Sequence, residues 1–234
     1  MRSCLIQLLI AAVVIFALLW FGLPFGASWL ATNALNAAGF TGTGTKVEVS
    51  ADLPPRILLG HADRIRLTSS QVSVGDLHAA AIDVTLSDVE LFNRTVGGVH
   101  GTLTGVRVPA PDGNPVTFDS ATVDGSGTAA TAVLLISTAE AETLARSQLK
   151  ARTGFDGKVK LAAPNKVTVT INGQSQPGLL IVKDGSLDLV LNSGVSVTLI
   201  ESGAGNPFHL TSVSIGADGV TLVGSVDLQT LLGL

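Results

Sequence analysis

The chain has 234 residues, a formal charge of −4 at pH 7, 46% hydrophobic residues and 14% charged ones. So apolar a composition excludes a disordered chain, and a mildly acidic balance without a basic run argues against nucleic acid as a partner. The single cysteine, Cys4, excludes an intrachain disulfide. With no tyrosine and with both tryptophans, Trp20 and Trp29, near the N-terminus, the core has to be aliphatic.

Leu5–Phe25 carries no charge, and its only clearly polar residue is Gln7. About 20 apolar residues is the length a helix needs to cross a bilayer. Arg2 precedes the run and no further charge follows until Lys46, so the positive-inside rule exports the remainder. The run exceeds the ~7–15 apolar residues of a secretory signal, which favours an uncleaved anchor, although Gly26-Ala27-Ser28 is a passable small-residue cleavage site. Either way the expected organisation is an anchor or signal over residues 1–27 and one extracytoplasmic domain over residues 28–234. The domain is held at the outer side of the cytoplasmic membrane, or secreted if the signal is cleaved. Cys4 lies before the apolar run, so it does not fit a lipidated cysteine.

Ser28–Phe40 reads as a short helix with Leu30, Ala34 and Ala38 on one face, broken by Gly39, Gly42 and Gly44. Lys46–Ser50 alternates as a strand, and after Pro54-Pro55 the stretch Arg56–Gly60 suits one helical turn. Arg64–Ser69 and Leu77–Leu91 are the next strands. In the second, the apolar phase slips at Asp88, from Ile82, Val84 and Leu86 to Val89 and Leu91, as a bulge would produce. The glycine-rich region from Arg94 to Thr128 reads as bent strands around a proline-bearing loop, Pro109–Pro115.

Ser137–Arg152 is the clearest helix. Ser137 and Glu140 make a capping box, acidic residues precede basic ones, and Gly154 stops it. Its apolar stripe, Ala141, Leu144, Ala145 and Leu149, is narrow. Arg146 and Lys150 line one flank, where they could meet anionic head groups; the plainer reading pairs Glu142 with Arg146 one turn on. A meander follows, with strands Lys166–Ile171, Leu179–Val182, Leu187–Leu191 and Val195–Ile200 separated by Asn172-Gly173, Asp184-Gly185 and Asn192-Ser193-Gly194. Leu210–Ile215 and Val220–Val223 flank a last turn at Asp218-Gly219. The alternation of aliphatic with Thr, Ser and Asp positions marks antiparallel sheet with one wet face.

Catalytic chemistry has no visible seat. His61, His78, His100 and His209 lack metal-ligand spacing, and G-x-S-x-G does not occur. Asp76 and His78 share a strand face, a pairing common on surfaces. The G-x-G-x-x-A match from Gly125 to Ala130 precedes TAVLLI, which reads as a strand where a dinucleotide site needs a helix. No enzyme, metal or cofactor is expected.

The apolar sheet face needs a cover. Either the sheet closes on itself as a sandwich that serves as a scaffold or protein-interaction domain, or it curls around the helix and leaves a groove for an acyl chain. Candidates for lining such a groove are Ile82, Val84, Leu86, Val89 and Leu91 on one long strand and Phe118 on another. Leu144 and Leu149 on the helix join them, as do Val169, Ile171, Leu187, Leu189, Leu191, Val197 and Leu199 in the meander.

The order of segments bears on this choice: KVEVS, LPPRILLGHADRIRLTSS, LHAAAIDVTLSDVELF, the capped helix STAEAETLARSQLKARTG, the meander, then NPFHLTSVSIGADGVTLVGS. In this order, and in Leu58-Leu59-Gly60 before a strand, the helix opening at Ser137, and Pro207-Phe208 leading to Asp218-Gly219, the chain resembles the bacterial LmeA-type phospholipid-binding family of exported proteins. The resemblance implies an α+β fold like that of tubular lipid-binding proteins: a long, curved antiparallel sheet wrapped around one main helix. It also implies phospholipid or another acyl-chain lipid as ligand and a role in the cell envelope. It carries over no catalytic motif and names no protein partner.

Overall fold

The computed structural model describes Ser28, Thr32, Asn33 and residues 40–74, 77–90, 92–93, 95–109, 115–201 and 208–227. The apolar run 5–25, most of the expected N-terminal helix, Leu91 and Asp76 lie outside these. Among the described residues no helix is long and apolar enough to cross a membrane.

The fold is α+β: antiparallel sheet with one main helix. β1 (Thr41–Ser50), β2 (His61–Val74), β3 (Leu77–Glu90), β4 (Thr95–Pro109), β5 (Pro115–Ser126) and β6 (Ala129–Ile136) precede α1 (Thr138–Thr153). β7 (Lys158–Ala162), β8 (Lys166–Ile171), β9 (Gln174–Lys183), β10 (Ser186–Leu191), β11 (Ser196–Ile200), β12 (Phe208–Ile215) and β13 (Val220–Asp227) follow it. Where one continuous sheet is expected, these strands form two. The first has the order β1-β2-β3-β4-β5-β6-β13-β12, the second β11-β10-β9-β8-β7. The C-terminal hairpin therefore leaves the meander and returns to the first sheet, Val220 pairing with Ile136. α1 packs on β5 of the first sheet and on β7 and β11 of the second.

The long strands change phase at residues with left-handed backbone. Leu67 and Ser69 turn inward before Gln71 (φ 51°), and Val72 after it; Leu103 precedes Gly105 (φ 57°), and Val106 follows it. The slip expected at Asp88 is of this kind. Its φ is 48°, with Leu86 packed inward before it and Val89 after it. Pairing with β2 keeps one register across it, Arg64 with Ser87 and Ala62 with Val89, so no residue is inserted as in a bulge. Gly101 is crowded by its cross-strand partners, because a Cβ there would lie 2.8 Å from Val84 and 3.3 Å from Val123. β1 begins earlier than expected, at Thr41. Gly42 and Gly44 do not break it; the register with β2 shifts twice between Thr41 and Lys46.

Short-range signals in the second half act as the sequence suggests. Asn172-Gly173 (φ 51° and 80°) and Asp184-Gly185 (φ 51° and 79°) have the paired positive φ of type I′ hairpin turns. Residues 54–59 form a 3-10 turn closed by left-handed Gly60 (φ 75°). One core joins both sheets and the helix: Phe118, Ile136 and Leu222 meet Ala145 and Leu149 of α1 and Val167, Leu180 and Leu189 of the second sheet. A separate cluster, with Val47, Val49, Ala62, Val89 and Val96, lies at the other end of β2 and β3.

Candidate functional site

α1 starts where Ser137 Oγ accepts the Glu140 N–H at 3.3 Å and stops at Gly154 (φ 74°), whose N–H bonds Lys150 O at 2.9 Å. Its buried residues are Ala141, Ala145, Ser147 and Leu149. The turn after Gly154 throws Phe155 outward, 57% exposed, with its N–H held by Thr153 Oγ1. Opposite stand the ends of β8 and β9 and the turn between β10 and β11. Together they enclose an open cleft of about 350 Å3.

The walls of the cleft are Leu149, Val169, Ile171 and Leu191, while Phe155 and Val195 stand at its mouth. Polar side chains keep to the rim: Asn172, Gln174, Gln176 and Ser193, the last donating to Gln176 Oε1 at 2.9 Å. Among the described residues no charged one lines it. Such a cleft can shelter a flexible apolar chain and offer hydrogen bonds to a polar end. Its volume is at the lower end of the ~300–1,000 Å3 of small-molecule sites.

Charged groups stand beside the cleft. Arg146 Nε donates to Asp156 Oδ1 at 2.9 Å, and Lys150 Nζ lies 3.6 Å from Oδ2. Arg146, then Lys150, hold the Asp156 carboxyl below the usual carboxylate range. Arg152 pairs with Glu201. Glu142 does not bond Arg146 one turn on; it accepts from Lys160 Nζ at 2.9 Å and from the Leu161 N–H at 3.0 Å, tying α1 to β7.

The structure divides the sequence candidates. Leu149, Val169, Ile171 and Leu191 line the cleft. Phe118, Leu144, Leu187 and Leu199 surround a void of only about 20 Å3, and Leu189 and Val197 are buried in the same closed core. Ile82 packs at the margin of that core. Val84 and Leu86 pack around Val99 and Ala130, and Val89 belongs to the cluster at the far end of the sheet. Phe155 and Val195 are not among the candidates; the signal that could find Phe155 is an aromatic directly after a helix stop in a chain with few aromatics.

The histidines are scattered. His61 Nε2 lies 2.8 Å from Asp63 Oδ1, and His100 Nδ1 lies 2.7 Å from Asp124 Oδ2 on an exposed face. His78 borders a separate depression of about 250 Å3 with Gln71, Arg107 and Thr117. Among the described residues no group of three His, Cys, Asp or Glu side chains converges on a point. No protein-family model, curated protein or solved structure matches the chain.

Proposed function

We propose that the protein binds an acyl-chain lipid, with phospholipid the leading class, beside the outer face of the cytoplasmic membrane, where it handles envelope lipid. The cleft between α1, β8, β9 and β10 carries this reading. Its aliphatic walls would bury an apolar tail at about 25 cal/mol per Å2 removed from water, and its uncharged polar rim suits a head group or ester. One tail fits the volume better than two. The apolar run 5–25 supplies the membrane address, and the resemblance to exported phospholipid-binding proteins points the same way.

The test is mass spectrometry of the purified full chain under native and then denaturing conditions, beside Ile171→Trp. The wild type should carry phospholipid or fatty acyl lipid. Ile171→Trp should fill the cleft and lose the lipid without losing its fold. A wild type that carries none, and takes none from vesicles, overturns the reading, as does a variant that keeps full occupancy.

The closed core around Leu189 favours a second reading, a non-enzymatic envelope scaffold. A ligand-free wild type with unchanged stability on vesicle addition would support it.

A further inference from the structure

We infer that the end of the first sheet carrying the 3-10 turn and the β3–β4 turn is a bilayer-contacting face. Seven large hydrophobic side chains are exposed among the described residues, and four are here: Leu53 (53%), Leu58 (58%), Leu59 (73%) and Phe92 (77%). Soluble surfaces seldom gather large apolar groups without a partner.

The platform beneath them is well held. Ile57 points inward onto the cluster with Val47, Val49 and Ala62, which leaves Leu58 and Leu59 outside. The turn is closed by Arg56 N–H to Leu53 O at 2.8 Å and Gly60 N–H to Ile57 O at 3.0 Å. Phe92 lies against Gly60, where a Cβ would come within 2.6 Å of its ring. Asp63 clamps the base by accepting from the Asp52 N–H, with His61 Nε2 at 2.8 Å and Arg56 at 3.8 Å. The leucines are thus presented by a hydrogen-bonded turn.

The position of Ser28 selects the occupant. Ser28 Oγ accepts the Val49 N–H at 3.1 Å, at this same end of β1. The apolar run ends at residue 25, three residues earlier, so its end lies within about 10 Å of Ser28. Leu53 is three residues beyond the end of β1 and has the same reach. A bilayer that receives the run is therefore brought to the exposed leucines. The surrounding charge is mixed, with Arg56 drawn to Asp63 and the carboxylates of Asp52 and Glu90 nearby, so the contact is made through apolar area rather than anionic lipid.

This inference rests on the proposed membrane address, and one experiment separates the two. The full chain, with Cys4→Ser removing its only cysteine, receives a single cysteine by Leu59→Cys, Phe92→Cys or, as an exposed control in the second sheet, Lys166→Cys. Each is labelled with an environment-sensitive fluorophore and reconstituted into phosphatidylcholine vesicles, with and without phosphatidylglycerol. Labels at 59 and 92 should shift to the blue, be quenched by a shallow nitroxide lipid and lose access to aqueous iodide, equally in both vesicle types. The label at 166 should stay open to iodide. A chain that floats with the vesicles while labels 59 and 92 remain as open as 166 overturns this inference alone; a chain that does not float overturns the membrane address with it. Leu59, 73% exposed and not packed against Gly60, decides the result if Phe92→Cys unsettles the turn.

Discussion

At Leu189 the side chain has no exposed surface and is surrounded by both sheets and α1. Leu189→Ala should therefore cost about 2–5 kcal/mol, read from the midpoint and slope of urea unfolding. Leu189→Trp should overpack the same space and lower the midpoint as well. A cost near 1 kcal/mol for the alanine variant would mean that the space is open to solvent or ligand. Ile171, two strands away and half-buried on the cleft, should accept the same enlargement to Trp with little loss. The alternation of Leu187, Leu189 and Leu191 with Asp188 and Val190 makes their shared inward face legible in the sequence. What that face meets is not legible, because a closed core and a cleft impose the same period on a strand. Leu191 touches the cleft while Leu189 does not.

Among elements, α1 shows which local signals suffice. Ser137, Glu140 and Gly154 mark both ends because capping is decided within one turn of chain. The partners of Glu142 and Arg146 escape such reading, because β7 and the turn at Asp156 come closer than the residue four positions away. Likewise Asn172-Gly173 and Asp184-Gly185 dictate their hairpins, whereas nothing local tells β12 and β13 to rejoin β6. The Asp156 pairing has a pH signature. Its carboxyl is held low in the folded chain by Arg146 and Lys150, so its contribution is present above the ordinary carboxylate range. That contribution is lost as pH falls through the lowered value. Asp156→Asn should leave a shallower loss of stability on the acid side, measured as unfolding midpoints from neutral pH downward. All three side chains are about half exposed, so the effect should be small and should shrink further in salt. An acid limb identical to that of the wild type would show that the pairing contributes nothing in solution.

On the scale of the whole molecule, the second sheet is an insertion in the first. Residues from Lys158 to Ile200 build β7 to β11 between β6 and the returning β12–β13 hairpin. Two contrary outcomes follow from that topology. An inserted sheet with its own core would open alone, whereas a sheet sharing its core with the host would not. Here the core is shared: Leu180, Leu189 and Leu199 of the insertion belong to one cluster with Ile136, Val220 and Leu222 of the host, joined through α1. Backbone bonds also cross between the sheets, from the Leu210 N–H to Gly185 O at 2.9 Å and from the Ile215 N–H to Pro164 O. Leu189→Ala should then lower hydrogen-exchange protection by the same free energy in β6 and β13 as in β8 to β10. Exchange by mass spectrometry at several urea concentrations reads this directly. Faster exchange confined to β8–β10 would make the second sheet a separately opening unit, and α1 its hinge. Under shared opening the cleft keeps its walls until the whole domain unfolds, so bound lipid should raise the protection of β6 and β13 as much as that of the strands that touch it.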